Sequence, residues 1–151
     1  MTATETIYEL YPEITDTQFA RMRIVADKMR NLALERGWGI ECANDMYLLG
    51  LIHDIGYAVE RADHCASGAR LLERNGYRYA FEVAKHTTMP ADASLCSKEL
   101  LLLWEANLTT DAHGDDISLD EAINCAILKH GTNSYQYKNI SAIVDILKER
   151  I

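Results

Sequence analysis

The chain is poor in the features that break or staple a fold. Of its 151 residues only two are proline, Pro12 and Pro90, and both fall outside the strongly periodic segments. Helices can therefore run without the lost donor and steric clash that proline imposes. The four cysteines, Cys42, Cys65, Cys96 and Cys125, are widely scattered, with no Cys-x-x-Cys pair and no zinc-ligand spacing. They read as reduced thiols acting as small hydrophobes rather than as disulfides or ligands. No apolar run approaches the roughly 20 residues that span a bilayer, so no membrane segment is expected. The opening MTATETIYELYPEITD has neither a basic nor an apolar leader region, and the cytoplasm is the expected location. The formal net charge is −8, and Lys and Arg gather into no stripe. Nucleic-acid binding driven by phosphate contacts needs such a stripe and ranks last among the partner classes. A small phosphorylated molecule or nucleotide stays open as a partner, since a metal or a single Arg makes a local site cationic. Nothing in the sequence sets the oligomeric state.

What is present is helical periodicity. A hydrophobic content of 48% with 25% charged residues suits a globular chain. No repeat, low-complexity tract or linker divides it, so one domain over 1–151 is expected. Phe19, Met22, Val25, Ala26, Met29, Leu32 and Ala33 recur at helical spacing, giving a helix over about 17–36 with Gly37 as its stop. Further helices are expected over about 41–53, about 64–74 (closed by Asn75 and Gly76), about 78–87 and about 97–107. Ser118-x-x-Glu121 is a capping-box pattern that opens another over about 119–130. The last, about 138–150, carries Ile140, Ile143, Val144 and Leu147 on one stripe. No alternating strand pattern appears. The expectation is an all-α bundle of six or seven helices.

The stretch LLGLIHDIGY, residues 48–57, sets His53 beside Asp54 at the end of an apolar run. A buried imidazole and carboxylate are costly unless paired or metal-bound. Two more histidines follow, His64 opening HCASGARLLERNGY and His86 closing FEVAKH. Singly, each reads as a surface or capping residue. Jointly with His53 and Asp54, they read better as a metal site. Imidazoles with a carboxylate suit a divalent cation such as iron, manganese or zinc. His113, in the polar DAHGDD, and His130, near a helix C-terminus, read as structural. Thr87 is either a hydrogen-bonder to the site or a solvent-facing helix end.

LLGLIHDIGY, HCASGARLLERNGY, the His86 segment and LLLWEANLTTDAHGD, in that order, resemble the HD-domain superfamily of metal-dependent phosphohydrolases. The likeness is to its small HDIG-type members and covers roughly residues 17–131. It implies an all-α HD-type fold with ligands converging from several helices, and hydrolysis of phosphate esters or nucleotides assisted by a divalent cation. Two positions depart from the family pattern. Arg21, one turn before Val25–Ala26, stands where the family has a histidine, and Asn107 where it has an aspartate. Arg cannot coordinate a cation. In the family those two positions join His53 and Asp54 in a first metal site, while Asp54, His64 and His86 form a second. The resemblance therefore implies one cation rather than two, with Asp54 central to catalysis. Arg21 would pair with Asp54 or orient a substrate phosphate. The two replacements change the local charge by +2, the charge of one divalent cation, so Arg21 is expected to substitute electrostatically for the first metal; the alternative is an exposed helix residue, the usual fate of Arg. Asp111, one turn past Asn107, would serve as a ligand only if its helix continued through TTDAHGD, which that composition opposes. The alternative is a degenerate, metal-poor HD domain that binds a nucleotide or a protein partner without hydrolysis.

Overall fold

A computed structural model describes residues 13–150; the first twelve residues of the N-terminal stretch read above, Pro12 among them, lie outside the described residues. Among these residues the chain forms seven α-helices, three short 3₁₀ turns and no strand, only an isolated bridge between Thr110 and Asp116. The all-α expectation holds. The helices are α1 (Asp16–Glu35), α2 (Ile40–Ile52), α3 (His64–Arg74), α4 (Ala80–Ala84), α5 (Lys98–Leu108), α6 (Leu119–His130) and α7 (Tyr135–Arg150).

Local chemistry fixes most of these boundaries. Thr15 and Gln18 form a reciprocal capping box that starts α1, and its buried face is Met22, Val25, Ala26, Met29 and Ala33. Ser97 caps α5 by accepting from the Leu100 N–H, and Ser118 caps α6 by accepting from Glu121. Each thereby satisfies an amide that the first helical turn leaves without a partner. Two expectations need correction. The helix expected over about 78–87 is only Ala80–Ala84, because the chain tightens into three-residue turns. The Val83 carbonyl there accepts from both the His86 backbone N–H and the His86 ring. The last helix starts at Tyr135, earlier than expected, with Ser134 accepting from the Tyr137 N–H.

Two apolar clusters share α5. Leu102, Leu103 and Ala106 face α1 to α4, while Leu100 and Trp104 face Ile143 and Leu147 of α7. Trp104 is fully buried and its indole N–H donates to the Lys85 carbonyl at 2.8 Å. That bond ties α5 to the turn carrying His86. Burial of each large side chain contributes about 1.5–3 kcal/mol. Among the described residues, no helix is long and apolar enough to cross a membrane.

Glycines permit the close approaches that place the site. A Cβ on Gly50 would lie 2.6 Å from the Ala26 Cα, so α1 and α2 cross in near backbone contact. A Cβ on Gly56 would lie 1.7 Å from the His64 carbonyl oxygen, and one on Gly68 would lie 2.9 Å from the Gly56 nitrogen. The first turn of α3 is thus pressed against the 3₁₀ turn Ile55–Ala58 that follows Asp54. This contact explains why Gly56 closely follows the His53–Asp54 pair.

Candidate metal centre

His53 continues α2 by one residue and is fully buried. Its Nδ1 lies 2.6 Å from the Gly50 carbonyl, and the Nδ1 of buried His86 lies 2.6 Å from the Val83 carbonyl. A carbonyl only accepts, so in both rings Nδ1 carries the proton and Nε2 turns inward. Hydrogen bonds of this kind from ring to carbonyl fix the tautomer of metal-ligating histidines. The ring of His64 is held differently, stacked on Tyr57 at 4.1 Å with planes 10° apart.

All three rings converge on Asp54. His86 Nε2 is 3.0 Å and His64 Nε2 3.4 Å from Oδ1, while His53 Nε2 is 3.2 Å from Oδ2. His53 Nε2 is buried and makes no hydrogen bond despite that distance. Burial alone would raise the Asp54 pKa, but attraction to His53 and contacts with His64 and His86 hold it well below the usual carboxylate range. Burial also opposes charge on His64 and His86. Contacts with Asp54 and Cys65 outweigh it, lifting them to about 9 and about 10.

These shifts state a charge requirement. Nε2 lone pairs cannot face a carboxylate without a cation between them. Protons on His64 and His86 supply it in the metal-free protein, and a divalent ion with neutral imidazoles could take their place. Two donor sets could hold such an ion, His53/Asp54/His86 and His64/Cys65/His86, each with its ligand atoms within 4.8 Å of one another. The residues fit a metal.

Cys65 belongs to this cluster, which the sequence reading missed. Its Sγ lies 3.6 Å from His64 Nε2, 3.7 Å from His86 Nε2 and 3.2 Å from Thr87 Oγ1. Burial would raise the thiol, but the two imidazoles and Thr87 bring it down to about 5. The available signal was its place directly after His64. Spacing rules for cysteine pairs do not register a thiol whose partners come from separate elements.

Arg21 and Asn107 are also brought into this pocket, where Arg21 forms the expected ion pair with Asp54 and has a further role as well. Arg21 Nε donates to the Asp111 carbonyl, Nη2 to the carbonyls of Asn107 and Thr110, and Nη1 to Asn107 Oδ1, all at 2.8–3.1 Å. Its nearest approach to Asp54, Nη1 to Oδ2, is 3.9 Å. Arg21 is first a clamp on the C-terminal end of α5. Asn107 gives its side-chain oxygen to that clamp, and a neutral amide oxygen is a weak ligand in any case. Asp111 lies past the end of α5, and its carboxylate accepts from the His113 and Asp115 amides in a local turn.

Two cavities meet at the cluster. One of about 420 Å³ is lined by Thr17, Gln18, Arg21, Asp54, Tyr57 and others. The second, about 620 Å³, is lined by Cys65, Leu108, Lys129, Ile140 and others. His64, His86, Thr87 and Asn107 line both. His130 lines the second cavity too, whereas His113 is exposed and lines neither. No protein-family model, curated protein or solved structure matches the chain.

Proposed function

We propose that this chain is a metal-dependent phosphohydrolase of the HD type, acting on a small phosphorylated molecule or nucleotide through one cation. The observation that carries the reading is the convergence of Asp54, His64 and His86 where two cavities meet, with the His86 tautomer fixed for coordination. Asp54 Oδ1, His64 Nε2 and His86 Nε2 would hold the ion. When bound, it supplies a Lewis acid for a phosphoryl oxygen and acidifies water. Asp54 contributes the negative charge that fixes the cation. Arg21, with its guanidinium 3.9 Å from Asp54, adds positive potential to the smaller cavity. Its N–H groups are largely committed to α5, so it acts on a phosphate through charge more than through a free fork of donors. The Thr87 hydroxyl, on the rim of both cavities, offers a hydrogen bond to a substrate oxygen.

A second reading is a metal-poor HD domain that binds a nucleotide or protein partner without turnover. It draws on the Arg21–Asn107 bond, which occupies both departing positions. The test is metal analysis of purified protein with a screen of phosphate esters and nucleotides, on wild type and Asp54→Ala. The first reading requires about one equivalent of transition metal in wild type, with metal and hydrolysis both lost in the variant. Metal-free wild-type protein that binds nucleotides without turnover would establish the second. Hydrolysis that survives Asp54→Ala would sink the proposed site.

A further inference from the structure

We infer that Cys65 is itself a metal ligand, and that His64, Cys65 and His86 make this a thiolate site suited to zinc. The inference rests on the reading of the cluster as a metal centre and goes beyond it in naming the ligand and the class of ion.

Geometry carries it. Zinc–sulfur and zinc–nitrogen bonds of about 2.3 and 2.05 Å at a tetrahedral angle place sulfur and nitrogen about 3.6 Å apart. The observed separations from Cys65 Sγ are 3.6 Å to His64 Nε2 and 3.7 Å to His86 Nε2. Nitrogen and carboxylate oxygen on one such ion lie about 3.4 Å apart. The separations from Asp54 Oδ1 are 3.4 and 3.0 Å. Sγ has three polar neighbours, the two Nε2 atoms and Thr87 Oγ1, a convergence that suits a thiolate ligand held among donors in the metal-free protein.

Burial and chemistry agree. His86 is 2% exposed, with Nδ1 spent on the Val83 carbonyl, so its Nε2 is committed to this centre. His64, Cys65 and His86 all line the 620 Å³ cavity. Together with Asp54 Oδ1 these give four protein donors, and the adjoining cavity leaves room for water or substrate to enter as a fifth. A thiolate selects zinc over manganese or magnesium, which prefer oxygen donors.

Cobalt(II) substitution tests this on the full chain, using wild type, Cys65→Ser, Cys65→Ala and, as a control thiol, Cys125→Ser. Cys125 is exposed and outside the cluster. The expected result is a sulfur-to-cobalt charge-transfer band in the near ultraviolet, saturating at one equivalent in wild type and Cys125→Ser. Both Cys65 variants should lack the band while keeping the helical circular-dichroism signal. Their zinc affinity should fall by at least about 100-fold, the upper end of what losing an outer partner costs. Cobalt bound at one equivalent without the band would overturn the role of Cys65 and leave the Asp54/His64/His86 reading standing. Wild-type protein that takes up no cobalt would overturn both. A band that survives in Cys65→Ser and disappears in Cys125→Ser would mark an adventitious surface thiol and overturn the inference.

Discussion

Replacing Gly56 by alanine should dismantle the cluster without altering any of its side chains. The new Cβ would lie 1.7 Å from the His64 carbonyl oxygen, where ordinary contact begins at 3.4 Å. The clash is with backbone, so no rotamer change relieves it, and the first turn of α3 must retreat by about 1.7 Å. Gly68 of α3 already sits against the Gly56 nitrogen, so a simple slide is blocked as well. Overpacking typically costs about 1–3 kcal/mol, and a fixed backbone clash belongs near the top, about 3 kcal/mol. For a domain of this size that is a fall in melting temperature of roughly 6–12 °C. The same retreat carries His64 and Cys65 away from Asp54 and His86 by far more than the roughly 0.2 Å tolerance of a metal site. Urea unfolding, calorimetry and zinc uptake measure the three consequences. Gly37→Ala is the control, since its φ of +76° strains alanine but nothing lies within 4 Å of the added atom. It should cost about 1–2 kcal/mol from backbone conformation alone and leave metal binding intact. If Gly56→Ala unfolds within about 0.5 kcal/mol of wild type and takes up zinc normally, the close approach of α3 to the 3₁₀ turn is wrong.

Arg21→Ala should cost about 3 kcal/mol, because it removes four hydrogen bonds, three of them to carbonyls in and just beyond the last turn of α5. Arg21→Lys should recover little of this, since an ammonium lacks the planar fork; urea unfolding that shows a loss under about 1 kcal/mol for Arg21→Ala would refute the clamp. In chelator, the melting temperature should depend on pH from both sides of the cluster. His64 and His86 are raised from 6.5 to about 9 and about 10, so their contribution is full below 6.5 and is lost as pH rises through those values. Cys65 is lowered from 9.0 to about 5, so its contribution is lost as pH falls through about 5. With saturating zinc the alkaline loss should shrink, because the metal replaces the imidazole protons; identical pH profiles with zinc and with chelator would refute the charge requirement.

The helices were legible because their signals are local. The apolar stripe of α1 and the Ser118 cap of α6 are readable from a few neighbouring residues, and both hold in the structure. The helix around His86 was overdrawn because periodicity does not reveal a carbonyl that accepts from a ring. Val83 O takes the His86 Nδ1, and the turn tightens around that bond. The convergence of His53, Asp54, His64 and His86 was readable because a buried polar pair demands partners. Cys65 was not, because its significance depends on where α4 and its following turn deliver His86. The donors of Arg21 were illegible for the same reason: they end on backbone carbonyls of Asn107, Thr110 and Asp111, which carry no side-chain signature.

Arg21 and Asn107 act as one device. Arg21 donates to Asn107, and an aspartate at 107 would accept the same bond while neutralising the guanidinium. Asparagine leaves that charge in place, 3.9 Å from Asp54 Oδ2. At this separation and an effective dielectric near 20, unit charges interact by about 4 kcal/mol, enough to bias where a second cation sits. The Asp54 carboxylate is thereby divided. Oδ2 faces Arg21 and His53, whereas Oδ1 faces His64 and His86. In the proposed metal-bound state a divalent ion would be repelled from the Oδ2 side and drawn to the Oδ1 side, where the imidazoles and the Cys65 thiol already stand. On the proposed reading Arg21 would keep a cation from the Oδ2 side by its charge, and through its clamp on α5 it fixes one wall of the smaller cavity. The proposed site would then hold one cation rather than two, on the side where sulfur is available.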